Sequence, residues 1–234
     1  MSWGVYSSDG TLLPPLVYSN KKTQESVVDE IEQAIKDGHK IIFVHGKCGS
    51  GKSLIGLELA RRLGKASVVV PVKYLQKQYE HDYTNKMYLQ KDNGDKLKIT
   101  ILTGRNNHQC LYDTQHTADN PFLPCTVEIK KENLQLLDKY LEENPLVDAN
   151  DFESIDDIKR VSVAAACPFW SPVINKDWFG NDYGLKDAQQ IDYEGLRNKQ
   201  FAYFRRKPGC TYYAQFMSYI TADVLVFNSK KYEI

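Results

Sequence analysis

The stretch Gly46-Lys47-Cys48-Gly49-Ser50-Gly51-Lys52-Ser53 decides the fold. It matches the pattern G-x-x-x-x-G-K-[ST] of nucleotide-phosphate loops. Before it, residues 40–44 form a short apolar run that is typical of a buried parallel strand. After it, apolar residues recur at helical spacing as far as Leu63, and Gly64 is placed to end that helix. Strand, glycine loop and helix are the context that this motif needs, so the sequence predicts a nucleotide-binding α/β fold.

The glycines, the lysine Lys52 and the serine Ser53 of this stretch suit phosphate binding. Its three glycines let the backbone turn tightly and bring N–H groups close to phosphate oxygens, and the following helix adds its positive N-terminal end. We expect Lys52 to contact the β- and γ-phosphates of ATP and Ser53 to ligate Mg²⁺, which makes these two the candidate catalytic residues. The candidate nucleotide-binding residues are Gly46, Lys47, Cys48, Gly49, Ser50, Gly51, Lys52 and Ser53.

Length and composition limit the class of protein. The chain has 234 residues, enough for one large domain or for one domain with a second inserted into it. Its 30 basic and 30 acidic residues cancel, so the global charge does not indicate a nucleic-acid binder, although local patches can. No apolar run is long enough to span a membrane, and the N-terminus lacks a secretory signal. We therefore expect an intracellular protein, cytoplasmic (nucleoid) or nuclear, with no membrane partner.

Strands and helices alternate in the first hundred residues. Apolar spacing predicts a helix over residues 24–35, a strand over 66–71, a helix over 73–88 and a strand over 97–102. A fourth core-like strand is predicted much later, over residues 222–227. Alternating strands and helices favour a parallel sheet that is covered on both faces.

The alternation stops between the third and fourth predicted strands. Only two helices are expected there, over residues 132–143 and 193–206. The simplest organisation is a nucleotide-binding domain of residues 1–104 and 220–234, interrupted by an inserted domain of residues 105–219. No apolar strand ends in the acidic pair with which phosphate-loop ATPases hold Mg²⁺, so we expect this chain alone to be incomplete for turnover.

Four of the five cysteines lie in the inserted segment, with spacings Cys110-x14-Cys125-x41-Cys167-x42-Cys210. Structural zinc sites usually show close C-x2–4-C pairs, and this segment has none. Iron–sulfur clusters are also held by four thiolates, at more varied spacings. Unrelated buried cysteines are equally typical of proteins. From spacing alone, all three interpretations stay open; the remaining Cys48 fills a variable position of the phosphate loop.

Four strings, in matching order along nearly the whole chain, resemble the XPD/DinG-like iron–sulfur DNA helicases of superfamily 2. One is the phosphate loop. The others are VPVKYLQKQY (70–79), LTGRNNHQC (102–110), and PGCTYY (208–213) followed by ADVLVFN (222–228). The string CPFW (167–170) is also similar to a cluster segment of that family. The third and fourth strings are the ones specific to the family.

The resemblance implies a partial RecA-like parallel sheet with an inserted, largely helical iron–sulfur domain. It implies that Cys110, Cys125, Cys167 and Cys210 ligate a [4Fe–4S] cluster. Gln24 corresponds to an adenine-contacting glutamine, although Lys21 stands where that motif usually has arginine. The implied contacts to single-stranded DNA are Lys73, Gln78 and Arg105.

The implied function is the ATP-binding and iron–sulfur portion of an ATP-dependent DNA helicase. By the same resemblance it moves 5′-to-3′ and acts on single-stranded or forked DNA in repair or replication. Only the N-terminal portion of such a helicase is matched, so a companion chain or a further region is expected to supply the second motor domain. Two alternatives stay open. One is a non-catalytic module that binds ATP and nucleic acid, and the other is a phosphate-loop kinase with a zinc site.

Overall fold

The computed structural model describes residues 2–179, 185–195 and 198–232. Its contacts divide the chain into two compact units, one of Met1–Leu102 with Thr221–Ile234 and one of Thr103–Ile220. We call them unit 1 and unit 2. Residues 1, 233 and 234 of the predicted nucleotide-binding domain, and residues 180–184 and 196–197 of the predicted inserted domain, lie outside the described residues. In the described part, no helix combines the length and the apolar character needed to cross a membrane.

The regular elements follow one another in this order. Unit 1 begins with β1 (Val5–Ser7), α1 (Gln24–Lys36), α2 (Lys52–Leu63), β2 (Ala66–Val70), α3 (Lys73–Glu80), β3 (Met87–Leu89) and β4 (Ile99–Ile101). Unit 2 has α4 (Leu134–Glu143), α5 (Arg160–Ala164), β5 (Val173–Asn175), α6 (Lys176–Phe179), β6 (Gln189–Glu194), β7 (Gln200–Arg205), α7 (Thr211–Ala214) and the start of α8 (Ser218–Thr221). The chain returns to unit 1 with β8 (Val224–Asn228) and α9 (Ser229–Tyr232).

The main sheet of unit 1 is parallel and has the strand order β2-β8-β4. Val224 in β8 is in register with Ala66 on one side and with Ile99 on the other. Because β8 is central and covered on both faces, its first four residues are all buried. A mixed α/β fold with a parallel sheet is thereby confirmed, and it is consistent with a RecA-like helicase domain.

The predicted strand before the phosphate loop is wrong. Residues 41–47 have no regular secondary structure, and the side chains of Ile41 and Phe43 are 74% and 93% exposed. A strand is stabilised by hydrogen bonds to a neighbour. In the described part of the chain the run pairs with neither sheet edge, β2 or β4, so its apolar pattern alone does not make it a strand.

The helices that flank the loop follow their local sequence signals. A capping box joins Thr23 and Ser26 at the start of α1, which confirms the predicted helix there. The second helix, α2, ends at Gly64, whose φ of 89° favours glycine. The two helices pack through Val28 and Ile31 of α1 against Ile55 of α2. This packing fixes the position of α2, the helix that follows the loop, relative to α1.

The helix predicted over residues 73–88 is shorter in the structure. The α-helix α3 ends at Glu80, and a π-helical turn, His81–Lys86, follows it. The chain then forms β3, which pairs antiparallel with β1. Leu89 of β3 is fully buried, so burial against a strand from the N-terminal segment prevails over helical spacing here.

Unit 2 is mixed rather than largely helical, which corrects the expectation for the insert. It contains an antiparallel sheet with the order β5-β7-β6. The helix predicted over residues 193–206 is therefore wrong where the structure describes it, because β6 and β7 form a strand pair. Tyr193 lies opposite Phe201, and their rings stack with centroids 5.5 Å apart. Such cross-strand aromatic pairs stabilise a sheet.

The helix predicted over residues 132–143 is confirmed as α4, preceded by a 3₁₀ turn, Lys131–Asn133. Leu137 and Leu141 of α4 are buried with Val127 in one core of unit 2. A second core contains Cys167 and Cys210, and the half-buried Cys125 packs against it. The cysteines thus belong to the interior of unit 2.

Candidate functional site

The phosphate loop has the backbone geometry that its glycines make possible. Gly49 and Gly51 have φ values of 80° and 74°, in the left-handed region that glycine adopts without strain. A Cβ at Gly46 would lie 2.7 Å from Ser50 Oγ, so a larger residue there would displace the Ser50 hydroxyl. That Ser50 hydroxyl is buried and has no hydrogen-bond partner among the described residues. A phosphate oxygen is a suitable acceptor for it.

Lys52 extends over this loop. Its Nζ donates to the carbonyl oxygens of Gly46, at 2.8 Å, and of Lys47, at 2.7 Å. The side chain of Lys52 is exposed on the outer side. An ammonium held by loop carbonyl groups in this way can also bind phosphate oxygens by charge-assisted hydrogen bonds.

The N-terminus of α2 completes the candidate phosphate site. Its N-cap residue is Gly51, which supplies no side-chain cap. The first N–H groups of a helix have no partner within the helix, and together with the helix dipole they favour an anion. Ser53, in this first turn, is near the hydroxyl groups of Tyr79 and Tyr83. Burial raises the pKa of Tyr83 to about 12, so both tyrosines stay neutral hydrogen-bonding groups at neutral pH.

A cavity of about 620 Å³ lies beside the loop. One wall is the loop itself, and the other comes from α1 and the segment before it, including Tyr18, Asn20 and Ile31. The Tyr18 hydroxyl donates to the carbonyl oxygen of Ser50 at 2.8 Å. Tyr18 was not among the residues predicted from the sequence, where the only local signal is an aromatic residue six positions before Gln24. The size suits a nucleotide, because ligand pockets are commonly about 300–1,000 Å³.

Gln24 is in contact with the loop backbone. Its side chain is 1% exposed, accepts a hydrogen bond from the N–H of Leu16 at 2.9 Å, and donates toward the carbonyl oxygen of Gly51 at 3.4 Å. The cavity lining comes from other residues. The adenine contact therefore stays a prediction, whereas the contact between Gln24 and the loop is a feature of the structure.

The candidate DNA-contacting residues of unit 1 lie on α3. Lys73 is the first residue of the helix and is exposed, and the exposed Gln78 hydrogen-bonds Asp82. Next to Lys73, the ring of Tyr74 is 76% exposed, a position from which an aromatic side chain can stack on a base. Tyr74 was not among the residues predicted from the sequence.

Another missed residue, Gln76, anchors α3. Its buried Nε2 donates to the carbonyl oxygen of Leu102 at 3.0 Å and to that of Val226 at 3.3 Å. Leu102 directly follows β4 and Val226 is the middle residue of β8, so Gln76 fixes the helix that carries Lys73 against the sheet. No local sequence pattern distinguishes Gln76 from the neighbouring glutamine, because its role depends on the fold.

Arg105, the third candidate DNA contact, is engaged inside unit 2. Its guanidinium donates to Cys125 Sγ at 3.4 Å and to the Tyr213 hydroxyl at 3.0 Å. It also lies over the ring of Tyr212, with 4.3 Å between the guanidinium carbon and the ring centroid. In this conformation Arg105 is a partner of a cysteine and two tyrosines.

The four candidate cluster ligands share one neighbourhood in unit 2. Cys110, Cys167 and Cys210 are buried and Cys125 is half-buried, whereas Cys48 is exposed in unit 1. Burial raises the pKa of the Cys167 thiol to about 12, and the nearby thiols of the other three raise it too. Within the described residues, however, no group of three or more His, Cys, Asp or Glu side chains is arranged to hold a metal ion.

Comparison with known protein families gives a match. The family model described as "Type III restriction enzyme, res subunit" matches residues 18–152, more than half of the chain. The match contains the phosphate loop, α1 to α4 and the segment with Cys110 and Cys125. Among curated proteins and among solved structures, no match to this chain was found.

Proposed function

The chain belongs to the family of the type III restriction enzyme res subunit, within the superfamily 2 helicases, and on this premise we propose that it is the ATP-binding and iron–sulfur portion of an ATP-dependent DNA helicase. The family assigns it an ATP-dependent, helicase-like nucleic-acid motor domain. The DNA substrate, the cluster, 5′-to-3′ polarity and a role in repair or replication are the proposed part. They rest on the resemblance of strings such as LTGRNNHQC and PGCTYY.

The observation that supports ATP binding most strongly is the geometry of the loop. Two left-handed glycines, an uncapped helix start and the Lys52 ammonium converge on the space where phosphates would bind. Mg²⁺, when bound with the nucleotide, neutralises phosphate charge. The Ser53 hydroxyl, in the first turn of α2, is the side chain proposed to hold it. The orphaned Ser50 hydroxyl adds a further donor to this set.

The nucleoside is proposed to bind in the cavity beside the loop. Tyr18 is fixed by its hydrogen bond to Ser50, so its ring has a set position relative to the loop. Burial raises the pKa of Tyr18, which keeps its hydroxyl protonated as a donor. Gln24, which the family motif assigns to adenine, would have to release Leu16 or Gly51 to reach the base.

DNA binding is proposed for the exposed start of α3. A positive side chain, Lys73, beside an exposed ring, Tyr74, is the combination that tracks single strands, because the backbone is anionic and every base offers a face for stacking. In unit 2, a further candidate surface includes Arg205 and Lys207 with Phe169, around a small cavity of about 150 Å³.

The cluster proposal is supported by the donor set. Four thiols lie in the same part of unit 2, and four thiolates are what a [4Fe–4S] cluster requires, but in the described structure they are not gathered at metal-ligand spacing. Cys110, Cys125, Cys167 and Cys210 would hold it, and Arg105 would then donate its N–H to a ligating sulfur. Such a cluster, when bound, cross-links segments of unit 2 that are distant in sequence. The domain bounds 1–104 with 220–234 and 105–219, and an intracellular location, stay predictions.

The proposal is tested by DNA binding. Fluorescence anisotropy with labelled single-stranded, forked and duplex oligonucleotides should give tighter binding to the first two. Lys73→Glu should weaken all binding and reduce its dependence on salt, because one phosphate contact is lost. Lys36→Glu, on α1, is the matched control and should leave affinity within about twofold. Absence of DNA binding, with zinc in the protein and phosphate transfer to a small molecule, would support the kinase alternative instead.

A further inference from the structure

A second cavity, of about 480 Å³, lies on unit 2 between α4 and the segment of residues 149–158. We call it the α4 groove. Its floor is apolar, although it is on the surface of this unit. The apolar residues that line it are Leu134, Leu141, Phe152, Ile155 and Ile158. Leu134 remains 40% exposed, which is high for a leucine beside a packed core.

On the wall of the groove that α4 forms, apolar and acidic side chains alternate along the helix. Leu134, Asp138, Leu141 and Glu142 all line it, at helical positions i, i+4, i+7 and i+8. These positions share one face of a helix. They extend over roughly 12 Å at about 1.5 Å per residue. The shape therefore favours an elongated occupant with its own apolar stripe.

The groove is lined by three carboxylates and one lysine, and it lies in an acidic segment of the chain. Residues 138–157 contain eight carboxylates and a single lysine, whereas the charges of the whole chain cancel. Lys131, at one end, is the one cation among the residues that line the groove. A negative rim repels phosphate groups and attracts cationic side chains. The α4 groove is therefore unsuited to nucleic acid.

Some of these carboxylates already have structural partners. Glu143 pairs with Lys139 at 3.7 Å, Asp148 accepts from the N–H of Asn150, and Asp157 accepts from that of Ser154. In the described part of the chain, the carboxylates that face the groove lack such partners. Asp138, Glu142 and Glu153 line it, and among the described residues they form no ion pair. Their charge is available to an incoming partner.

We propose that the α4 groove binds a basic amphipathic helix of a protein partner. The apolar side chains of that helix lie on Leu134, Phe152 and Ile155, and its lysine or arginine residues pair with Asp138, Glu142 and Glu153. This is helix-in-groove recognition, in which apolar positions at i, i+3, i+4 and i+7 supply area and flanking charges set orientation. The proposal does not depend on ATP, DNA or a cluster.

The probe is a fluorescent 18-residue peptide of leucine and lysine, with leucine at i, i+3, i+4 and i+7, and a scrambled peptide of the same composition. We expect the amphipathic peptide to bind about tenfold more tightly than the scrambled one. On binding, hydrogen exchange should slow in residues 131–158 of the wild-type protein. Slower hydrogen exchange in other segments instead, or equal affinity for the two peptides, contradicts the proposal.

Variants separate the groove from general charge attraction. Glu142→Lys with Glu153→Lys should reduce affinity by about tenfold or more. Asp37→Lys with Asp95→Lys changes the net charge equally at exposed positions of unit 1 and should change affinity less than twofold. Phe152→Ala, which changes no charge, should also weaken binding. If Phe152→Ala has no effect, the surface binds by charge alone, which contradicts the proposal. If the groove variant instead converts a dimer of this chain to a monomer, the occupant is a second copy of the chain and not the proposed partner.

Discussion

The side-chain amide of Gln24 joins the start of α1 to the phosphate loop, because its Nε2 lies 3.4 Å from the carbonyl oxygen of Gly51. Gly51 makes this approach possible, since a Cβ there would lie 2.1 Å from the same nitrogen. The Oε1 atom is held by the N–H of Leu16. The position of the loop is therefore set in part by a buried residue outside the phosphate-contacting motif.

Replacing this amide should affect both stability and nucleotide binding. In Gln24→Ala the N–H of Leu16 loses its acceptor, which costs about 1–3 kcal/mol of unfolding free energy if the group stays buried and unsatisfied. The carbonyl of Gly51 keeps its bonds from the N–H groups of Leu54 and Ile55 but loses its link to α1. Affinity for ATP and GTP should fall together, because the loop is displaced. Urea unfolding and calorimetry measure the two effects. A loss of ATP affinity alone, with stability and GTP affinity unchanged, would instead indicate the adenine contact of the family motif.

The exposed run before the loop gives a second prediction. Phe43→Ser should change the unfolding free energy by less than about 0.5 kcal/mol, since the ring is 93% exposed. Had residues 40–44 formed a buried strand, removing the ring would cost about 3–5 kcal/mol. Urea unfolding of the two proteins distinguishes these values. A cost in the upper range would show that the run is packed in solution.

A buried ion pair on α2 gives a third prediction. Glu58 is fully buried, and Arg61 Nη2 donates to its Oε1 at 2.6 Å. Glu58→Ala should destabilise unit 1 by up to about 3–5 kcal/mol, because the buried guanidinium of Arg61 then keeps only the exposed carboxylate of Asp92 and two backbone carbonyl groups as partners. Hydrogen exchange of the α2 amides in urea measures the loss for this unit. The control is Glu30→Ala, which removes an exposed pair with Lys22 and should cost no more than about 1 kcal/mol. Similar losses in both variants would contradict this account of α2.

Elements with a strong local signal could be predicted from the sequence. The loop and α2 follow from glycines at Gly51 and Gly64, whose conformations other residues adopt only with strain. The strand β8 follows from an unbroken apolar run, since a central parallel strand is covered on both faces. In each case a few neighbouring residues determine the result.

Elements that depend on a distant partner could not be predicted. Residues 40–44 have the composition of a buried strand, but local composition does not determine whether a neighbouring strand is available for pairing. Tyr193 pairs with Phe201 across two neighbouring strands. The helical spacing of apolar residues in this segment predicted a helix instead. The roles of Gln76 and Tyr18 depend on backbone carbonyl groups that only the folded chain brings near.

The cysteines give a fourth prediction, which tests the cluster independently of the nucleotide. Protein prepared without oxygen should contain iron and sulfide in equal amounts and be yellow-brown. Replacing Cys110, Cys125, Cys167 or Cys210 by Ser should remove iron and increase proteolysis of residues 105–219, whereas Cys48→Ser, at an exposed position of unit 1, should change neither. Zinc in place of iron, or iron retained without Cys125, would contradict the assignment of these four ligands.

The central claim is that the loop binds ATP through Lys52, and calorimetry with Mg²⁺-ATP tests it most directly. Lys52→Ala should weaken binding by about 1.5–3 kcal/mol, since a charge-assisted contact to phosphate is lost. Lys36→Ala, an equal loss of charge at an exposed position of α1, should bind like wild type. Equal ATP affinity in wild type and Lys52→Ala, with both proteins folded, would contradict the claim.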